Sequence, residues 1–263
     1  ASHSRFEHSL GTMNISGLIL SSIIKNQRSI LKQLSFSLEN ISYSKRKIFE
    51  QKDCQNFSIL STEGKLCLLE KKPYLQQILR LAGLLHDVGH SPLSHSGENF
   101  MISCEDFFSS IDNIKLSDWM KEGFENKKKK LSARKKSLLQ NMRHEVYTIF
   151  IVNEIFNTEL RNCDENLARD ICAILDTAFS PSPGGLLEES GLRNLFHDIV
   201  SGELDADRMD YLLRDSRECG VVYGLFDLGR ILDSVGFYIN VKTKESHLAI
   251  RRSGIPAFED FLR

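Results

Sequence analysis

Five side chains able to bind a metal or move a proton crowd into residues 86–98: His86, Asp87, His90, His95 and Glu98. An imidazole beside a carboxylate suits a divalent transition metal such as iron, manganese, zinc or nickel. A lone His-Asp dipeptide is an ordinary helix end. Three histidines and two acids beside one helix end are hard to explain by packing. Two ligands do not complete a metal site, so others must come from elsewhere in the chain. His8 follows Arg5 by three positions, just ahead of an apolar stretch that includes Ile15, Leu18, Ile19 and Ile23. His144 and Glu145 open the run HEVYTIFIVNEIFN. Asp207, Tyr211 and Asp215 recur at i, i+4 and i+8, with Arg208 flanking them.

The elements that must position these groups are mostly helical. Leu75, Ile78, Leu79, Ala82 and Leu85 recur at helical spacing and predict a buried helix over 74–88, with Gly89 as its stop signal. His86 and His90 share a face if the helical turn continues that far. The opening segment suits a helix with Arg5 and His8 on one face. Further helices are expected over 144–157, 164–179, 191–201 and 203–218, with a break at Pro181, Pro183, Gly184 and Gly185. Leu204, Met209, Leu212 and Leu213 supply the packing side of the 203–218 helix. After Gly220 a loop returns to a helix. Residues 237–252 alternate apolar and polar about a polar turn centred on 244–246, a β-hairpin signal. The expected fold is all-α, a helical bundle with a small β-hairpin near the C-terminus.

Length and composition fit that picture. With 263 residues, 41% hydrophobic and 26% charged, the chain can bury a sizeable core. One domain over 1–263 is expected, with insertions near 25–72 and 101–140 that lack a sustained pattern. The chain opens inside a motif and stops in a helix, so it is expected to be a piece trimmed at both ends. A net charge of −1 gives no global electrostatic case for nucleic acid or an acidic membrane. The basic run within 127–136 lacks aromatic interleaving and is expected to be a solvated loop or helix face. The six cysteines form no C-x-x-C and suit reduced thiols in a cytoplasmic protein. No apolar run is long enough for a membrane span, so none is expected, and neither is a signal peptide.

The order H…HD…D on a helical chain resembles the HD-domain metal-dependent phosphohydrolases. RFEHSLG, HDVGHSPLSH, the later HE and DADRMDYLLRD together resemble one branch of them, the deoxynucleoside-triphosphate triphosphohydrolases. That branch includes the bacterial dGTP-triphosphohydrolase-like proteins and the vertebrate enzyme that joins a sterile-alpha motif to an HD domain. The resemblance covers roughly residues 4–20, 75–100, 144–156 and 204–262. It implies one transition-type metal held by His8, His86, Asp87 and Asp207, with magnesium joining through substrate phosphates. It implies Arg5 and Arg208 on the phosphates, and His90 and His95 around the reacting phosphate, with His95 as the leaving-group acid. His144 and Glu98 match a supporting pair, and Tyr211 and Asp215 a pair that holds the sugar. Here the family's H-x-P-F-S-H segment reads HSPLSH; Ser91 and Leu93 depart from the usual residues, but no reactive group is lost. Asp227, Arg230, Arg251 and Arg252 resemble regions that bind a regulatory nucleotide.

The implied activity is hydrolysis of a deoxynucleoside triphosphate to deoxynucleoside and inorganic triphosphate, by a homo-oligomer. Two rivals stand beside it. One is a phosphatase or phosphodiesterase acting on another nucleotide at the same site. The other is a non-catalytic nucleotide- or nucleic-acid-binding module that uses the 127–136 run as its contact.

Overall fold

The computed structural model describes residues 4–39, 72–93, 95–133, 140–160, 165–183, 185–189, 191–240, 243 and 245–262. Much of the 25–72 segment therefore lies outside the described residues, as does the end of the basic run. The opening helix α1 spans Arg5–Glu39 and α2 spans Lys72–Leu85. The short α3 is His95–Glu98, followed by α4 (Cys104–Ser110) and α5 (Asp118–Ser132). Next come α6 (His144–Thr158), α7 (Glu165–Leu175), the short α8 (Leu186–Glu189) and α9 (Arg193–Ser201). The chain then forms α10 (Ala206–Cys219), α11 (Leu228–Ser234), β1 (Val235–Ile239), β2 (Ser246–Ile250) and α12 (Ile255–Leu262). Among the described residues the protein is a helical assembly with one two-stranded antiparallel hairpin, as its patterning predicts.

The core lies where α1 packs on α2 and α10 and where α7 packs on α2, α6 and α9. Ile15, Ile19 and Ile23 of α1 meet Leu75, Ile78, Leu79 and Ala82 of α2 in one buried cluster. Their helical spacing turns one face of each helix inward, and each fully buried aliphatic contributes roughly 1.5–3 kcal/mol. The 101–140 segment contributes to this core. Phe107, Met120 and Phe124 are buried, and Phe124 stacks on Phe150 at 5.0 Å and meets Phe179 edge-on at 5.1 Å. Lys127 of the basic run is not a solvated charge either, because it pairs with Asp176 after α7.

The hairpin pairs Val235 with Ile250 and Ile239 with Ser246. Ser246 is thus the first residue of β2 rather than part of the turn, and β1 begins two residues before the expected start. The Arg251 N–H extends the pairing to the Ser234 carbonyl at 2.9 Å, which holds the hairpin close to the end of α11.

Candidate active site

Three helix ends meet at the chemical residues. His8 closes the first turn of α1, its N–H on the Ser4 carbonyl. His86 and Asp87 follow α2 directly. Asp207 sits in the first turn of α10, whose start is fixed by Asp205: its carboxylate accepts the Arg208 N–H at 2.7 Å. An aspartate two positions before Asp207 is a readable helix-start signal, though the patterning above did not bring it forward.

The 74–88 helix ends earlier than its periodicity predicts. After Leu85 the backbone tightens into turns, with Val88 N–H on the Leu85 carbonyl (3.2 Å) and His90 N–H on the Asp87 carbonyl (3.0 Å). His86 and His90 therefore do not share a helical face. Gly89 acts through contact rather than as a helix stop. Its N–H donates to Thr148 Oγ1 at 3.0 Å, and a Cβ there would lie 2.2 Å from the Thr148 nitrogen. The Thr148 hydroxyl donates in turn to the His86 carbonyl at 3.1 Å, so α6 holds the 86–89 turn from behind.

His8, His86, Asp87 and Asp207 converge. Asp207 Oδ1 stands 3.0 Å from His8 Nε2 and 3.5 Å from His86 Nε2, and Asp87 Oδ1 stands 3.5 Å from His86 Nε2. Ligand atoms of His8, His86 and Asp87 all lie within 4.8 Å of one another. His86 Nδ1 donates to the Gly83 carbonyl at 2.8 Å, and His8 Nδ1 to Asp210 Oδ2 at 2.9 Å. In its neutral form each ring therefore presents the Nε2 lone pair to the shared space, where a proton or a metal can take it. His86 Nε2 is buried without a hydrogen-bond partner, an unusual state for a polar atom unless a ligand belongs there. These four residues fit a divalent transition metal. Burial disfavours a charged His8, but hydrogen bonds and charge from Asp207 and Asp210 outweigh it and lift its pKa to about 9. Burial likewise opposes a charged His86, but the carboxylates of Asp207 and Asp87, each 3.5 Å from Nε2 and too poorly aligned for a hydrogen bond, outweigh it and raise its pKa. Burial of Asp207 is overcome by the two imidazoles, which hold its carboxyl well below the usual range. A pocket that favours protons on its imidazoles also favours a cation in their place.

A second group adjoins the first through Asp87. Asp87 Oδ1 is 3.6 Å from His144 Nε2 and 3.8 Å from His90 Nε2. The His90 and His144 rings lie parallel, 3.7 Å apart. His144 Nδ1 donates to Glu98 Oε1 at 2.7 Å, and His95 Nδ1 lies 3.4 Å from the same oxygen. Burial raises the Glu98 pKa, but the His144 bonds outweigh it and keep the carboxyl ionised. His90 is driven down to about 4 by burial, opposed by Asp87 and reinforced by the charges of His144, Arg5 and His95. His95 opens α3, and its side chain is 75% exposed. This solvent-facing imidazole borders a cluster of half-buried ones. Arg5 reaches the same rim, donating from Nη2 to the Ser91 carbonyl at 3.3 Å.

The other expected site residues spread along α10. Arg208 lies over the Phe261 ring at 5.8 Å, Tyr211 is exposed and Asp215 is half-buried. A cleft of about 590 Å³ opens from His86, Asp87, His144 and Asp207 toward Lys127, Arg143 and His197. Arg208, Tyr211 and Asp215 do not line it. In that cleft, burial and the charge of Asp207 raise Asp205 to about 7, against the Arg208 N–H.

Comparison with known proteins bears on the fold of the chain. No protein-family model matches the chain. An uncharacterized protein of Bacillus subtilis, YwfO, is 25% identical over all 263 residues, which span 38% of its length. An uncharacterized protein of Methanocaldococcus jannaschii is 29% identical over 187 residues, 71% of this chain and 27% of its own length. The chain thus spans well under half of these relatives. A crystal structure of a hypothetical protein from Aquifex aeolicus superposes with a TM-score of 0.52 at 23% identity, covering 99% of this chain and 44% of the other. A phosphohydrolase from Bacteroides thetaiotaomicron superposes with a TM-score of 0.50 at 21% identity, covering 100% of this chain and 40% of the other. The chain shares their fold. Among the described residues, no helix is long and apolar enough to cross a membrane.

Proposed function

We propose that this chain carries the catalytic centre of an HD-type, metal-dependent phosphohydrolase, and that its substrates are deoxynucleoside triphosphates. The observation that supports the metal is the convergence of His8, His86, Asp87 and Asp207 around the orphaned His86 Nε2. When bound, a divalent metal supplies Lewis acidity to a phosphoryl oxygen and acidity to water. Magnesium is expected to arrive with the substrate phosphates.

The chain's own groups do the rest. Arg5, at the rim, and Arg208 bind phosphate oxygens and offset charge that builds up in the transition state. Water attacks the α-phosphorus, the bond to the 5′-oxygen breaks, and inorganic triphosphate leaves with the phosphorus. His95 gives its proton to the departing 5′-oxygen, which becomes the deoxynucleoside hydroxyl. Glu98 orients His144 against Asp87, and Tyr211 and Asp215 hold the sugar. The support for His95 is its solvent-facing position beside the half-buried His90 and His144, where a proton can be replenished.

A second reading keeps the centre and changes the substrate to another phosphoester. It is favoured by the cleft, which leads toward Lys127, Arg143 and His197 and is not lined by Tyr211 or Asp215. Metal analysis of the purified protein, followed by product identification on a panel of deoxynucleoside triphosphates and cyclic and linear nucleotides, separates the two. Inorganic triphosphate as product supports the first; pyrophosphate or orthophosphate overturns it. The first reading also carries a homo-oligomer and a regulatory nucleotide, which light scattering with and without nucleotide tests.

A further inference from the structure

His8 is held from behind by a clamp that spans α1 and α10. Its Nδ1 proton goes to Asp210 Oδ2 at 2.9 Å, and Asp210 is only 6% exposed. The same carboxylate accepts two hydrogen bonds from Arg214, Nε to Oδ2 at 2.9 Å and Nη2 to Oδ1 at 2.8 Å. Arg214 Nη2 also donates to the carbonyl of Glu7, the residue before His8, at 3.0 Å. The clamp therefore grips α1 twice, once through the imidazole and once through the backbone beside it. Space for it exists because residue 11 is glycine. A Cβ there would lie 1.7 Å from Asp210 Oδ1 and 2.6 Å from Arg214 Nη2. Those atoms are ends of side chains, but their bonds to each other and to α1 leave them little freedom to move aside.

We propose that Asp210, fixed by Arg214 and given room by Gly11, is a positioning residue that sets the tautomer and aim of His8 and so tightens metal binding. The proposal rests on the metal centre described above and is independent of the nucleotide assignment. With Nδ1–H committed to a carboxylate, the lone pair of the neutral His8 ring sits on Nε2, and the ring cannot rotate without breaking a buried, charge-assisted bond. Such partners behind a ligating histidine typically govern about 10–100-fold in metal affinity. A strut that merely joined α1 to α10 would behave differently: its loss would lower stability and leave the affinity of the folded protein unchanged.

The test uses metal-stripped protein and Mn²⁺ as the probe. Affinity is measured by competition with a chelator, and folding by circular dichroism and thermal melting. Asp210→Ala is expected to stay helical and bind Mn²⁺ about 10–100-fold more weakly. Asp210→Asn, which keeps an acceptor without the charge, is expected to fall between Ala and the wild type. Gly11→Ala is expected to weaken binding although every polar group remains. Folded Asp210→Ala and Gly11→Ala proteins that bind within twofold of the wild type would overturn the inference. If Asp210→Ala does not fold, Asp210→Asn and Arg214→Lys decide on the same criterion. Wild-type protein that binds no Mn²⁺ removes the metal centre itself, and this inference with it. No arm uses nucleotide hydrolysis, so a wrong substrate assignment leaves the outcome readable.

Discussion

Glu98 accepts the Nδ1 proton of His144 at 2.7 Å across 46 positions of sequence. That bond commits the other nitrogen of His144 to the side facing Asp87, 3.6 Å away, and holds the ring parallel to His90. A carboxylate outside the quartet of proposed metal ligands thus sets the order of the adjoining histidine cluster.

Replacing Glu98 by Gln keeps the size of the side chain and removes the charge behind His144. Hydrolysis should fall about 10–100-fold, the usual cost of losing a partner that orients a functional histidine. Metal content should stay at the wild-type level. A parallel loss of metal, read by elemental analysis, would move Glu98 into the metal site.

His95 should matter for turnover more than for affinity, because a leaving-group acid acts mainly in the transition state. His95→Ala should keep metal and nucleotide and lose about 10²–10⁴ in single-turnover rate. Its exposed side chain makes a folding defect unexpected. Arg208→Ala should instead weaken nucleotide binding as well as rate, since a phosphate contact exists before the reaction begins. Near-wild-type turnover by a folded His95→Ala protein would pass the acid role to His90 or His144.

Asp207→Ala should abolish both bound metal and hydrolysis, because Asp207 Oδ1 is the carboxylate oxygen shared by His8 and His86. Metal content and activity should disappear together. A metal-replete Asp207→Ala protein would show that the quartet is not the centre.

Lys127 and Asp176 should make stability acid-sensitive. Burial raises the Asp176 pKa, but the charge and hydrogen bond of Lys127 outweigh it and hold the carboxyl below its ordinary value. A depressed folded pKa means that, as the pH falls, the unfolded chain takes up the proton first. The pair's contribution is therefore complete above the unfolded pKa of about 3.9 and is lost as pH falls through the folded value. Lys127→Met should cost about 1–3 kcal/mol at pH 7, because it leaves a largely buried carboxylate without its charged partner. It should also flatten the loss of stability on acidification. Urea melts between about pH 3 and pH 7 test both effects; an unchanged acid limb would show that the pair carries no such linkage.

The helical class, the boundaries of α6 and α9 to within a residue or two, and the hairpin were legible in the sequence, because each depends on local periodicity or turn chemistry. His8, His86, Asp87 and Asp207 were named as a set by the resemblance of their motifs to a known family, before any distance was known. What spacing could not decide was which atoms meet. Asp210 and Arg214 stand at i, i+4 on α10, a readable ion pair. That the pair faces His8, 202 positions away, depends on how α1 crosses α10. Periodicity carried the 74–88 helix too far, because the chain past Leu85 is bound to Thr148 of α6 rather than to its own next turn. Lys127 looked like a solvated charge because nothing near it in sequence answers it; its partner Asp176 is 49 positions away. A sequence states which groups are available and which short-range elements they ride on. Burial, tautomer and charge pairing belong to the packed molecule, because they depend on neighbours that only the tertiary fold supplies.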